Sequence, residues 1–537
     1  MLKLNPLIPP LLLALSIAAA LIRDDDLAEL LGLDLDQIHL LISSPQARKP
    51  LASLFAVLPV TVILGAVNDN LSRTYYSLVA LTQALLFYSS SSSVVAHLAS
   101  SIILFFFIQI YKTTLTAIVL RRWRSEIKLA ESSAAPRSNT KRIMILYANV
   151  GSGHKSAANA VSEALTREGG DGQVEIMKVD MMELASPAFK FVMQTMFQKL
   201  TQSLIGQHTL GYLYDMGDGG NQKRPLQRAM EDAAGVTLVK EIAKFKPHTI
   251  ICTHFLPAQL VASIKKASKV LQNEIRLGLV ITDLDLQSMW VQPGAVDVYY
   301  LPRDDSAVVL RDYERRAEEK RKKAGKVQSK VQSKVVVSGI PIAPRFADAV
   351  EKKTNGDLDA GFEMFNLKRA DPRPVVVIMS GGVGIEEVYK LCLKAKRGCQ
   401  FVVVMGRQAD VRKVLTAVEV PSKHSVELVG FCKEMPTLLS IADLMVGKCG
   451  GLTAAENAAL TVPILILDPI PGQEQRNADV LLETGGCLKI NDLPLIPTRL
   501  DYIFENEKVK LEEMKKGMAK LAKPLSAFTI AGEILQA

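Results

Sequence analysis

The sequence is poor in the residues that build metal sites and disulfide frameworks. Its six cysteines (Cys252, Cys392, Cys399, Cys432, Cys449 and Cys487) are scattered over 537 residues without one Cys-x-x-Cys pair. The seven histidines form no cluster with ligand spacing. A zinc finger and a cross-linked secreted scaffold are therefore excluded, and free thiols in a reducing compartment are expected. No basic stripe interleaved with aromatics occurs, which argues against a nucleic-acid partner despite a net charge of +9. There is no Walker loop, because Lys155 does not directly follow a glycine and the upstream glycine is missing. A full G-x-G-x-x-G is also absent, since Ser156 stands at its third glycine position.

What the chain has in excess is apolar sequence, and it is unevenly placed. Hydrophobic residues make up 48%, concentrated in about the first 120 residues. Residues 4–22 form a nearly bilayer-spanning run, followed by candidates at 51–67, 75–88 and 94–120. A cleaved signal peptide is the rival reading of 4–22. Residues 1–124 are read as a membrane region of three or four hydrophobic helices, and the polar 125–140 as a linker. Arg121, Arg122 and Arg124 directly follow the last apolar run. The positive-inside rule then predicts an integral membrane protein whose remaining domains are cytosolic, with anionic lipids among its partners.

From Lys141 onward the pattern is that of an α/β protein. Residues 142–148 read as a buried strand, followed by a glycine loop and an amphipathic helix from His154 to about Glu168. Further strands are predicted at 248–252, 277–282, 296–301 and 335–338. The alternation restarts with strands at 375–379, 400–405, 426–429, 443–446 and 464–467. This gives two Rossmann-like domains, 141–345 and 372–537, with a ligand cleft between them at the carboxyl ends of the strands. A highly charged stretch at 311–334 reads as a solvated helix running into an inserted loop.

The glycine loops carry the candidate chemistry. Gly151 and Gly153 let the backbone approach a ligand at the start of a helix, where negative charge is favoured. His154 at this helix start can take a proton from a hydroxyl near pH 7, or can merely hydrogen-bond the loop. A second loop, Ser380-Gly381-Gly382-Val383-Gly384, can lie against a substrate or diphosphate, or can be only a tight turn. In Lys448-Cys449-Gly450-Gly451-Leu452-Thr453 the backbone N–H groups and the Thr453 hydroxyl are suited to a diphosphate. Glu456, one turn on, is suited to ribose hydroxyls, and Gln473 and Glu474 to sugar hydroxyls.

Several short motifs, in order, resemble the diacylglycerol glycosyltransferases, that is, the plant-type monogalactosyldiacylglycerol synthases and bacterial processive diacylglycerol glucosyltransferases. They are GSGH at 151–154, Thr282-Asp283 with Trp290 and Val296-Asp297-Val298-Tyr299, and Gly339-Ile340-Pro341-Ile342 with Phe346. GGVG at 381–384, MGR at 405–407, KCGGLT at 448–453 and PIPGQE at 469–474 follow. The resemblance covers about 141–500 and leaves out the apolar N-terminal region. It implies a GT-B fold and inverting transfer of galactose or glucose from a UDP-sugar to diacylglycerol, with no cofactor or bound metal. It implies a lipid acceptor held near His154, the candidate base, with Gly151, Gly153, Asp283 and Trp290 on the acceptor side. It implies Gly430 and Phe431 near uracil, Gly451 and Thr453 at the diphosphate, Glu456 at the ribose, and Lys448 and Gly450 within the same nucleotide-sugar site. Gln473 and Glu474 would contact the sugar, and Gly381, Gly382, Arg407 and Asn477 would complete the nucleotide-sugar site.

Several features depart from the family pattern, Cys449 in KCGG and the charged insertion 311–334 among them. Asn149 stands where relatives often have an acid, and Gln287 where they usually have histidine. These two positions leave open a catalytically dead nucleotide- or lipid-binding scaffold. Transfer to a sterol or polyprenyl lipid also stays open, because the nucleotide half would look the same and only the first domain and the membrane region would differ.

Overall fold

The computed structural model describes residues 140–149, 151–170, 172–185, 225–323, 332–379, 384–406, 409–505 and 508–536. The expected membrane region 1–124 lies outside these residues, as does the expected linker apart from Thr140. Among the described residues no helix is long and apolar enough to cross a membrane.

Two six-stranded sheets organise the chain. The first contains β1 (Lys141–Tyr147), β2 (Val174–Asp180), β3 (Thr249–Cys252), β4 (Arg276–Val280), β5 (Val298–Leu301) and β6 (Lys334–Val337). Its spatial order is β2-β1-β3-β4-β5-β6, with every pairing parallel. The second contains β7 (Val375–Met379), β8 (Gln400–Val404), β9 (Ser425–Val429), β10 (Leu444–Gly447), β11 (Ile464–Leu467) and β12 (Cys487–Ile490). Its order is β9-β8-β7-β10-β11-β12, again all parallel. Each order reverses direction once, between β1 and β3 in the first sheet and between β7 and β10 in the second. The loops beyond the strands part at these reversals and leave room for a ligand.

The sequence explains why these strands are central. In β1, Met144 and Leu146 enter one apolar cluster and Ile143 and Ile145 another, so both faces are buried. In β7, Val375 and Val377 divide from Val376 and Ile378 in the same way. The strands that sequence patterning overlooks are β2 and β12, which lie at the sheet edges. Their burial is broken, with Glu175 exposed in β2 and Leu488 and Lys489 only half-buried in β12, so neither reads as a continuous apolar run.

Six helices matter for the site: α1 (Ser152–Glu168), α2 (Phe255–Ala267), α3 (Asp305–Lys323), α4 (Gly451–Ala459), α5 (Gln473–Thr484) and α6 (Ser526–Gln536). The charged stretch forms α3, whose Arg315 pairs with Asp312 and Glu319 along the solvated face; residues 324–331 lie outside the described chain. Helix α6 returns to the first sheet. Its Ala527, Ile530, Ala531 and Ile534 recur at helical spacing and are buried against α1 and β1. Each isoleucine so buried contributes roughly 1.5–3 kcal/mol. Glu533 on the same helix accepts from Arg276 at 2.5 Å, from Lys334 at 2.9 Å and from the Tyr300 hydroxyl.

Candidate active site

The first sheet's reversal point carries His154. It lies in the first turn of α1, directly beyond β1. Its Nδ1 is 3.0 Å from the carbonyl oxygen of Thr253, which follows β3. A carbonyl only accepts, so Nδ1 carries the hydrogen and Nε2 keeps its lone pair. The Thr282 hydroxyl also lies 3.0 Å from Nδ1, and Thr253 Oγ1 donates to the His154 carbonyl at 2.9 Å. Burial pushes the imidazole down to about 4, against a smaller upward pull from the Thr253 hydrogen bond. At neutral pH the ring is uncharged, with Nε2 able to accept a proton. A Cβ at Gly151 or Gly153 would meet no protein atom within 4 Å, so these glycines leave open space beside the histidine rather than relieve a clash.

The second sheet's reversal point carries the donor-side candidates. Lys448, Cys449 and Gly450 follow β10, and Gly451 opens α4. Thr453 and Glu456 are three residues apart on α4 and so share a face. Burial pushes the Glu456 carboxyl up to about 7. It has no hydrogen-bond or ionic partner among the described residues. An unpartnered, half-buried carboxylate is costly to hold and is suited to accept from ligand hydroxyls. Gly430 and Phe431 follow β9, with Phe431 exposed. Gly381, Gly382 and Arg407 lie outside the described residues.

Residues 282–285 join the two halves. A Cβ on Gly451 would sit 2.0 Å from the carbonyl oxygen of Thr282, so the domains touch where only glycine fits. Gln473 Nε2 donates to Asp283 Oδ1 at 2.6 Å. The Leu284 N–H donates to Asn477 Oδ1 at 2.8 Å, and Arg476 pairs with Asp285 at 3.2 Å. Gln473, Arg476 and Asn477 form one face of α5, so a single helix surface clamps the loop. Burial raises the Asp283 carboxyl to about 6, while the Gln473 hydrogen bond and the nearby polar groups of Asn477 and Trp290 pull it down.

Glu474 is engaged by its own loop. Its Oε2 accepts from the Ile470 N–H at 2.9 Å and lies 3.7 Å from Lys448 Nζ. The Cys449 thiol donates to the Glu474 carbonyl at 3.4 Å.

Sequence reasoning missed several residues that the fold brings here. His254 packs its ring against His154 at 4.4 Å, close to perpendicular. Nothing in the local sequence marked it; the pairing of β3 with β1 brings it here. Asp180 ends the overlooked β2 and accepts from the backbone N–H of Asn149 at 3.2 Å. A carboxylate thus reaches the loop position that lacks its own acid. Gln287 is buried, and its Nε2 has no partner among the described residues.

This arrangement is a proton-accepting imidazole on one sheet joined, through one loop, to an anion-suited helix start on the other. Known sequences place it. Residues 154–325 match the family described as monogalactosyldiacylglycerol (MGDG) synthase, and 381–527 match the glycosyltransferase family 28 C-terminal domain. The chain is similar to the diacylglycerol glycosyltransferases. It is 28% identical over 404 residues to a processive diacylglycerol beta-glucosyltransferase of Bacillus pumilus, covering 74% of this chain and 96% of that protein. It is 26% identical over 411 residues to the "Probable monogalactosyldiacylglycerol synthase, chloroplastic" of Glycine max, covering 73% and 71%. Among solved structures, the Acinetobacter baumannii MurG crystal structure aligns with a TM-score of 0.46 at 14% identity, covering 74% of this chain and 100% of that one.

Proposed function

We propose that this chain is an inverting hexosyltransferase that moves galactose or glucose from a UDP-sugar to diacylglycerol. The observation that carries the reading is that Thr282 touches both the His154 imidazole and the first residue of α4. Base and donor loop are thereby held on either side of one residue.

In this reading His154 Nε2 takes the proton of the acceptor hydroxyl as its oxygen attacks the anomeric carbon. The bond from that carbon to the diphosphate oxygen breaks, and UDP leaves from the opposite face, which inverts the centre. Backbone N–H groups at 450–453 and Lys448 stabilise the departing charge. Glu456 holds the ribose, Gly430 and Phe431 flank the uracil, and Gln473 presents its carbonyl oxygen to the sugar. No resident metal takes part. The acceptor domain spans 141–345 and the donor domain 372–537. Residues 1–124 anchor both to the cytosolic side of a bilayer through the linker 125–140, with anionic lipids drawn to Arg121, Arg122 and Arg124.

The test is a product assay on detergent-solubilised full chain. Diacylglycerol is supplied with UDP-galactose or UDP-glucose in separate reactions and the lipids are read by mass spectrometry. A hexosyl-diacylglycerol in either reaction supports the proposal. No product despite UDP binding would reject diacylglycerol, and sterol and polyprenyl alcohols would then be supplied in its place.

A further inference from the structure

We infer that His254 is a positioning residue for His154, acting through its ring rather than through its helix cap. The inference rests on the reading of His154 as the base.

His254 is 4% exposed and follows β3 at the same reversal point as His154. It has two separable roles. Its Nδ1 accepts the Leu256 N–H at 3.0 Å, which caps α2. With Nδ1 occupied as an acceptor, the hydrogen sits on Nε2 and the ring is neutral. Burial and the neighbouring His154 both push its titration well below the ordinary histidine range. A cap alone does not call for histidine, since asparagine, serine and aspartate serve better.

The ring supplies what those caps lack. The His154 and His254 centroids are 4.4 Å apart with planes at 82°, an edge-to-face contact. Phe255 stacks on His254 at 4.3 Å and 28°. Trp290 closes the group, 5.7 Å from Phe255 and 6.3 Å from His154. Thr253 and Thr282 hold the His154 ring only at Nδ1. Those contacts leave rotation of the ring plane to be limited by what packs against it. His254 is that packing, and it sets where Nε2 points.

Two substitutions separate the roles. His254→Asn keeps a cap and loses the ring; His254→Phe keeps a ring and loses the cap. The expected result is crossed. The Asn variant retains the wild-type melting temperature but loses about 100-fold in kcat, because a displaced base fails to align, while the donor KM stays unchanged. The Phe variant melts a few degrees lower, about 2–4 °C, yet keeps kcat close to wild type. If kcat follows the cap instead, high in Asn and low in Phe, His254 is a cap and the inference is overturned.

His154→Ala is measured beside them. If it turns over like wild type, the base reading fails rather than this one. A second readout does not depend on turnover. With [15N]histidine labelling of the seven histidines, His154 should give sharp signals of one Nδ1–H tautomer in wild type and in the Phe variant. In the Asn variant they should broaden or report both tautomers. An unchanged His154 signal there would overturn the inference.

Discussion

The two halves of the cleft are built in opposite ways. The His154 side chain and carbonyl are engaged: Nδ1 with Thr253 and Thr282, the carbonyl with the Thr253 hydroxyl, and the ring with His254. Nε2 alone has no protein partner among the described residues. Around Glu456 the reverse holds. The carboxylate is half-buried and unpartnered, and the α4 start has space above Gly450, where a Cβ would meet nothing within 4 Å. The first half is rigid before substrate arrives, as a group that must meet a reacting atom should be. The second leaves its polar groups for the ligand to satisfy. Chemistry and donor affinity should therefore be separable by mutation.

The largest expected effect is at the rigid half. His154→Ala should lower kcat by about 1000-fold, within the span of general-base catalysis, and leave the donor KM unchanged. Steady-state kinetics with varied UDP-sugar checks this, and a raised KM at constant kcat would break the comparison.

Next comes the seam. Gly451→Ala places a methyl group 2.0 Å from the Thr282 carbonyl oxygen, so the domains must separate or tilt. A shift of about 1 Å between base and donor loop should cost about 100-fold in kcat/KM. Initial rates with the fold checked by circular dichroism test it; a fully active, folded Ala variant would show that the seam does not hold the two halves in register.

At the open half, Glu456→Ala should raise the donor KM by about 10- to 100-fold, the worth of hydrogen bonds to a charged group, with kcat less affected. An unchanged KM would remove Glu456 from the donor site.

The smallest effect is a pH dependence. Burial raises Glu456 to about 7. Its deprotonated form is the better acceptor for ribose hydroxyls, so donor affinity should be full above pH 7 and weaken as pH falls through it. Between pH 8 and pH 6 the loss should approach tenfold, one pH unit being a factor of ten once the acid form dominates. Glu456→Gln should abolish the trend. His154, held near 4, stays neutral across that window and adds nothing to it.

The sequence made some of this cleft legible and not the rest, for physical reasons. Central strands such as RIMILY and VVVIM are apolar on both faces and announce themselves, as do the glycine loops that follow them. Asp180 was hidden because β2 is an edge strand with broken burial. His254 was hidden because nothing local distinguishes a histidine after a strand; only the pairing of β3 with β1 brings it to His154. The Gln473–Asp283 and Glu533–Arg276 contacts join residues 190 and 257 positions apart. No local periodicity encodes such contacts, although both ends of the first lie in motifs that the resemblance had already singled out for the site.

The division of labour is tested most directly by calorimetric titration of UDP into wild type, His154→Ala and Glu456→Ala, each also assayed for turnover. The account predicts that His154→Ala binds UDP as wild type does while turning over almost nothing, and that Glu456→Ala binds about 10- to 100-fold more weakly. Weakened UDP binding in His154→Ala together with unchanged binding in Glu456→Ala would contradict it.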